Sequence, residues 1–442
     1  MDLVTPAIVV IIGVTGDLAK RKLLPAIDQL ARAGVLPAQF RVVGITRRAD
    51  VHPESLTNGI ADTAYINDHL SLFTMDLAMG DEYMRLANYL NDIENAFGTP
   101  AQRLFYLSIP PQVSWPIIEF LGLSGLATVA DTKLLLEKPF GTNLETATEL
   151  DRHITGHFKP HQVYRIDHYL AKEMAQNLIA FREENMLYRR TWNADFIDRV
   201  EIIASEKIGI EGRGNFYEQT GALRDLIQSH LLQLAALTLM DIPQDGDLGS
   251  IPGRRLKALR HLSIPGDIAI ADVAKRGQYN GYRDEANSPK SGIETFASIT
   301  LRSSDKRWHG VPIVISTGKA LQEKNTEIRL VYKNESGGKP NELSLRLQPN
   351  EGVSLRLWTK QPGYGHKLQE RTLQFAYSED ERLPEAYERV LLDALQSDHS
   401  LFATGEEVLE TWRIIDPVQR AWEMTDDGLQ QYDKGAGIID LV

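Results

Sequence analysis

Ala7-Ile8-Val9-Val10-Ile11-Ile12-Gly13-Val14-Thr15-Gly16-Asp17-Leu18-Ala19 is the stretch whose reading decides the fold. The apolar run Ala7–Ile12 is too short to cross a membrane and suits a strand buried on both faces. It stops at Gly13, and a helical pattern over Asp17–Ala33 follows, closed by Gly34. Gly13 permits the tight turn, Gly16 lets backbone approach a ligand, and small Ala19 allows close packing of helix on strand. A turn of this kind, formed by Gly13, Thr15, Gly16, Asp17 and Leu18, offers helix N-terminal N–H groups to a pyrophosphate. An ordinary glycine-containing loop is the alternative.

Working outward, Arg41–Ile45, Leu104–Ser108 and Lys133–Glu137 are further short apolar runs, and the alternation of strand and helix predicts a parallel sheet. The strand Arg41–Ile45 runs into Thr46-Arg47-Arg48, with no acid until Asp50. NAD sites usually place a carboxylate there for the ribose hydroxyl, whereas guanidinium groups suit a 2′-phosphate. NADP is therefore the expected cofactor, with NAD as a weaker alternative.

After about residue 165 the rhythm changes. Helical patterns over Tyr169–Glu184 and Gly221–Met240 precede strand-like segments at Thr295–Leu301, Ile313–Ser316, Thr326–Val331 and Leu343–Leu347. Pro384–Leu395, with Pro384 at its first position, and Glu406–Ile415 read as late helices. Residues 334–341 read as a hairpin turn. An α/β domain over 1–166 and a larger α+β domain with a mostly antiparallel sheet over 167–442 follow from this order.

Composition narrows the function. A chain of 442 residues exceeds one ordinary core, and 43% hydrophobic with 24% charged residues is globular. No apolar run is long enough for a membrane span, and Asp2 stands where a signal peptide would be basic. Without cysteine there are no disulfides or thiolate metal sites, and no metal is expected. The net charge of −12 argues against nucleic acid or an anionic membrane as partner. A cytoplasmic protein fits all of this.

In so acidic a chain, basic clusters stand out. Lys138 in Glu137-Lys138-Pro139-Phe140-Gly141 follows a strand, at the sheet edge where such folds bind ligands. In Arg165-Ile166-Asp167-His168-Tyr169-Leu170-Ala171-Lys172, a helix would set His168 and Lys172 on one face beside Tyr169, a donor group suited to phosphate. Asp167 as an N-cap with surface neighbours is the other reading. Further on stand Glu206, Glu211-Gly212-Arg213-Gly214, Asp225 and His230. His230 lies on the stripe of Leu223, Ile227, Leu234 and Leu237, so a packed core histidine is a full alternative. Lys319 and Lys324 follow a strand and, taken alone, read as solvated lysines.

Together these segments resemble the glucose-6-phosphate dehydrogenase family. Its motifs occur in order: Gly13-Val14-Thr15-Gly16-Asp17-Leu18-Ala19-Lys20-Arg21-Lys22, Glu137–Gly141, Arg165–Glu173, Glu211–Gly214, His230-Leu231-Leu232-Gln233, Arg276–Tyr279, Glu294-Thr295-Phe296 and Gln348–Gly352. The resemblance implies a Rossmann-type first domain and oxidation of glucose 6-phosphate by NADP, opening the oxidative pentose phosphate pathway. It implies Asp167 and His230 as the catalytic pair, with His230 as base, and histidine's ordinary pKa of ~6.5 suits that role. His168, Tyr169 and Lys172 would bind the 6-phosphate. Lys138, Glu206, Asp225, Lys319 and Lys324 would contact the sugar or its phosphate. Arg47 and Lys138 would join the glycine turn in binding NADP. A homodimer or homotetramer is implied, a dimer being built on the second domain's sheet.

Three positions depart from the family pattern. Ala171 replaces a glycine, Ser229 an asparagine, and Ser316 a common arginine. The last, with Asn325 after Lys324, argues against the second, structural NADP of higher animal members. A dehydrogenase for a different sugar phosphate, and a catalytically weak paralogue that binds ligand as a regulator, are the alternative functions.

Overall fold

The computed structural model describes residues 5–57, 60, 63–109, 111–243, 246–335, 337–378, 381–425 and 427–441; Asp2 and Ser336 lie outside them. The chain forms two compact units, Met1–Ala171 with Pro384–Val408, and Lys172–Leu383 with Leu409–Val442. The expected boundary after residue 166 falls slightly early, and it misses the return of the late helix to the first unit.

Strands β1 (Ala7–Ile12), β2 (Phe40–Thr46), β3 (Leu70–Thr74), β4 (Gln102–Leu107), β5 (Thr132–Leu136) and β6 (Val163–Ile166) build the first sheet. They run parallel in the order 3-2-1-4-5-6, which reverses between β1 and β4, the place where such sheets bind dinucleotides. Every residue of β1 is buried because both faces are covered. Val9 and Ile11 pack with Leu23, Leu24 and Ile27, while Ile8, Val10 and Ile12 face Leu86, Leu90 and Leu121. The helix after β1 opens at Asp17 and reaches Arg32, with a wide turn over Ala19–Leu23.

The sheet is not wholly parallel, since Phe402–Ala403 pairs antiparallel with β6. The helix leading to it spans Ala386–Gln396. Pro384 is therefore not its first residue: Glu385 and Glu388 form a capping box that begins the helix later.

The second unit holds β7 (Ile197–Ser205), β8 (Leu262–Ser263), β9 (Ala274–Tyr279), β10 (Phe296–Ser303), β11 (Ile313–Gly318), β12 (Asn325–Tyr332), β13 (Glu342–Gln348), β14 (Gly352–Lys360) and β15 (Leu368–Ala376). The sheet is mostly antiparallel, as expected, but β7 runs parallel to β11 and Leu429–Tyr432 parallel to β9.

Three further helices differ from expectation. The first starts at Glu173 rather than Tyr169, because Asp167 closes a tight turn instead of capping a helix: its Oδ1 accepts from the Tyr169 N–H at 2.9 Å. The second begins only after Gly221, whose backbone (φ 62°, ψ 176°) breaks it from Gly214–Ala222, and passes through a wide turn at Leu223–Leu231 to Leu239. The last runs on to Met424, through Pro417.

Candidate active site

In the first unit the candidate residues collect at the C-terminal ends of the parallel strands. Gly13 has a left-handed backbone (φ 91°), and a Cβ there would lie 2.5 Å from the Ser108 carbonyl beyond β4. Glycine is thus required for the turn to close against its neighbour strand. Ala19 is fully buried, as its packing role demands. Beyond β2, Arg48 is held by Asp50 through bonds of 3.2 and 2.9 Å. Arg47 is exposed and makes no hydrogen bond or ion pair among the described residues. A glycine cradle, a helix N-terminus and an uncommitted guanidinium fit a dinucleotide carrying a 2′-phosphate.

Lys138 follows β5 and is half-buried. Beside it, Glu137 accepts hydrogen bonds from Tyr106 and Tyr387, and burial pushes its carboxyl above the usual range. Asp167 is buried at the end of β6. The His168 ring lies edge-on to Tyr169 with centroids 5.0 Å apart, and near-parallel to Tyr387 at 6.4 Å. Lys172 is not one helical turn from His168, contrary to the expected shared face, because 167–172 is a turn.

In the second unit, β7 and β11 lie side by side with Ser205 opposite Gly318. That register makes the next residues, Glu206 and Lys319, neighbours, and they form an ion pair. Lys319 is 3% exposed, so it is not the solvated lysine its sequence context allowed. Its ammonium lies 5.2 Å from the centre of the Tyr217 ring. Burial, reinforced by the charges of Asp225, Glu294 and Glu206, pushes the Tyr217 phenol well up. Asp225 and His230 share the wide-turn segment Leu223–Leu231, with His230 buried. Lys324 does not join this cluster; it is exposed and unpaired among the described residues.

Lys172 has a separate support. Its ammonium donates to Gln348 Oε1 at 3.0 Å, and Gln348 Nε2 donates to Thr326 Oγ1 at 2.9 Å. Glu351 accepts from the Met174 N–H at 2.7 Å, satisfying an open donor at the start of helix Glu173–Glu184. The stretch Gln348–Gly352 thus orders the helix start that carries Lys172.

Two family models match the chain, the glucose-6-phosphate dehydrogenase NAD binding domain over residues 10–177 and its C-terminal domain over residues 179–437. The Bacillus subtilis glucose-6-phosphate 1-dehydrogenase is 35% identical, covering 97% of this chain and 94% of that protein. The Mycobacterium tuberculosis glucose-6-phosphate 1-dehydrogenase 2 is 37% identical, covering 94% of this chain and 88% of that protein. The chain belongs to the glucose-6-phosphate dehydrogenase family. Among solved structures, a glucose-6-phosphate dehydrogenase in complex with its substrate glucose-6-phosphate superposes with TM-score 0.91 and 32% identity over 99% of this chain and 96% of that one.

Within this dehydrogenase family framework the departures acquire local explanations. Ala171 is buried without a left-handed backbone, so its methyl group carries no conformational penalty. Ser229 donates to the Asp225 carbonyl within its own helix at 3.1 Å. Ser316 is buried, with its hydroxyl 2.8 Å from that of Ser298. Sequence reasoning gave no role to Tyr217, Tyr387, Tyr106 or Glu294, whose contacts are with residues distant in sequence. A tyrosine three residues beyond Gly214 was the only local hint of the first. Among the described residues no group of His, Asp and Glu is arranged to hold a metal ion.

Proposed function

We propose that the chain oxidises D-glucose 6-phosphate at C1 to 6-phospho-D-glucono-1,5-lactone with NADP as acceptor. The observation that carries this reading is the match of nearly the whole chain to a family member solved with glucose 6-phosphate. NADP, when bound, accepts the hydride leaving C1. His230 takes the proton from the C1 hydroxyl, with Asp167 assigned to orient and stabilise the imidazole. His168, Tyr169 and Lys172 bind the 6-phosphate, and Gln348 holds Lys172 in the extended conformation preceding its helix. Lys138, Glu206, Asp225 and Lys319 bind the sugar. The Glu206–Lys319 pair presents a fixed acceptor and donor to adjacent hydroxyls, at no further cost in side-chain ordering. Lys324 is a more distant contact to the phosphate. Arg47 reads the 2′-phosphate of NADP, beside the Gly13–Leu18 turn and Lys138.

The protein acts in the cytoplasm as a homodimer or homotetramer; among the described residues no helix is long and apolar enough to cross a membrane. An absorbance assay of nicotinamide reduction with glucose 6-phosphate, run with NADP and with NAD, tests the reading. Rapid reduction with NADP is expected. Turnover only with another sugar phosphate, or none with any, would replace this reading by one of its alternatives.

A further inference from the structure

The tripeptide Glu294-Thr295-Phe296 has no role in the proposed reaction, yet its first two residues bond to the segments that carry both groups of site residues in the second unit. Glu294 is buried, and its Oε1 accepts from the Leu223 N–H at 2.9 Å. Leu223 opens the helical segment that carries Asp225 and His230. The Glu294 carbonyl accepts from the Ala222 N–H at 3.0 Å, so one residue satisfies two adjacent donors at the start of that helix. Gly221, just before, has a left-handed backbone (φ 62°), and a Cβ on it would run into the Glu294 carboxylate. Only glycine leaves room for the cap.

The next residue works on the other group. The Thr295 carbonyl accepts from the Lys319 N–H at 2.9 Å, and Tyr432 donates to the Lys319 carbonyl at 2.8 Å while meeting the Thr295 hydroxyl at 2.8 Å. Lys319 is thereby fixed on both sides of its backbone. Glu294 and Thr295 are consecutive, so the start of the His230 helix and the Lys319 loop are set against each other by one peptide unit. We propose that Glu294 is a positioning residue, which through its cap on Leu223 holds the base helix in register with Lys319 and Glu206. This inference rests on the reaction proposed above. A buried carboxylate is a costly choice for a cap, and a helix N-terminus is where its charge is best tolerated.

The test compares Glu294→Ala, Glu294→Gln and Gly221→Ala in the full chain with glucose 6-phosphate and NADP. Glu294→Ala is expected to lower kcat at least about tenfold while leaving the dissociation constant of NADP unchanged, because the dinucleotide turn belongs to the first unit. Glu294→Gln keeps the accepting oxygen and should recover kcat to within about threefold. Gly221→Ala should reproduce the loss by displacing the carboxylate. Hydrogen exchange supplies a readout independent of turnover: Glu294→Ala should speed exchange at Leu223 while Leu234–Thr238 stay protected. Unchanged kcat and unchanged exchange in Glu294→Ala would overturn the proposal. So would a folded Glu294→Gln as impaired as the alanine variant. If Glu294→Ala does not melt cooperatively, a fully active Gly221→Ala refutes it alone. A wild-type chain inactive on glucose 6-phosphate would instead strike the proposed reaction and leave the exchange result to decide the cap.

Discussion

At the residue scale, burial alone does not decide whether His230 is a base. Its neighbours Ile227, Leu231 and Leu234 are as inaccessible as it is, so packing could account for the imidazole. Chemistry distinguishes the two explanations. His230→Asn keeps a polar side chain of similar size and should cut kcat roughly 10²–10⁴-fold, with a modest change in KM for glucose 6-phosphate. A variant that turns over near the wild-type rate is a packed histidine and no base. Arg47 offers an equally local test. Arg48 is paired with Asp50, so Arg47 is the guanidinium proposed to meet a 2′-phosphate. Arg47→Ala should therefore raise the dissociation constant of NADP by about tenfold or more, as expected for a lost charge-assisted contact, and barely change that of NAD. Titration of both nucleotides measures this, and an equal loss for both excludes the assignment.

At the scale of the element, the helix Ala386–Gln396 holds a titratable residue in the core of the first unit. Asp393 is fully buried and paired with Arg389 at 2.8 Å, and burial pushes its carboxyl up to about 7. The folded chain keeps a proton that the unfolded chain releases near pH 4. This contribution to stability is present at acid pH and is lost as pH rises through 7, at a cost of at most about 4 kcal/mol for a shift of this size. Asp393→Asn mimics the neutral carboxyl at every pH. Its Tm relative to the wild type should be higher at pH 8 than at pH 5. An offset that is the same at both pH values would place the carboxyl in its ionised form throughout.

At the scale of the whole molecule, the sheet of the second unit ends on β15, whose residues are almost all exposed. Leu368, Leu373 and Phe375 are 64%, 61% and 51% exposed. An unpaired edge carrying apolar side chains invites association. Light scattering should therefore give at least twice the chain mass of 49.6 kDa, and Leu373→Glu should shift the population towards monomer. A wild-type monomer at micromolar concentration would contradict the expected homo-oligomer.

Much of this was legible along the chain, for reasons that are local. The run Ala7–Ile12, the turn at Gly13 and the helix after it obey short-range rules of burial and backbone freedom, and the structure repeats them with small shifts. Arg47 after β2 follows from the same neighbourhood, as does the change from alternating strands and helices to a run of strands. Local rules failed where a side chain chose a local turn over a helix. The Asp167 carboxylate took the Tyr169 N–H, so the helix began later and the expected shared face of His168 and Lys172 was lost. They were silent where partners are distant in sequence. No spacing rule pairs Glu206 with Lys319; the parallel register of β7 and β11 does. No motif says that Glu294 caps Leu223 or that Gln348 holds Lys172. The sequence by itself determined the class of each domain and the residue types available for phosphate, dinucleotide and proton transfer. Only the tertiary structure decided which of those residues meet, because strand register and helix starts are set by long-range packing and hydrogen bonding.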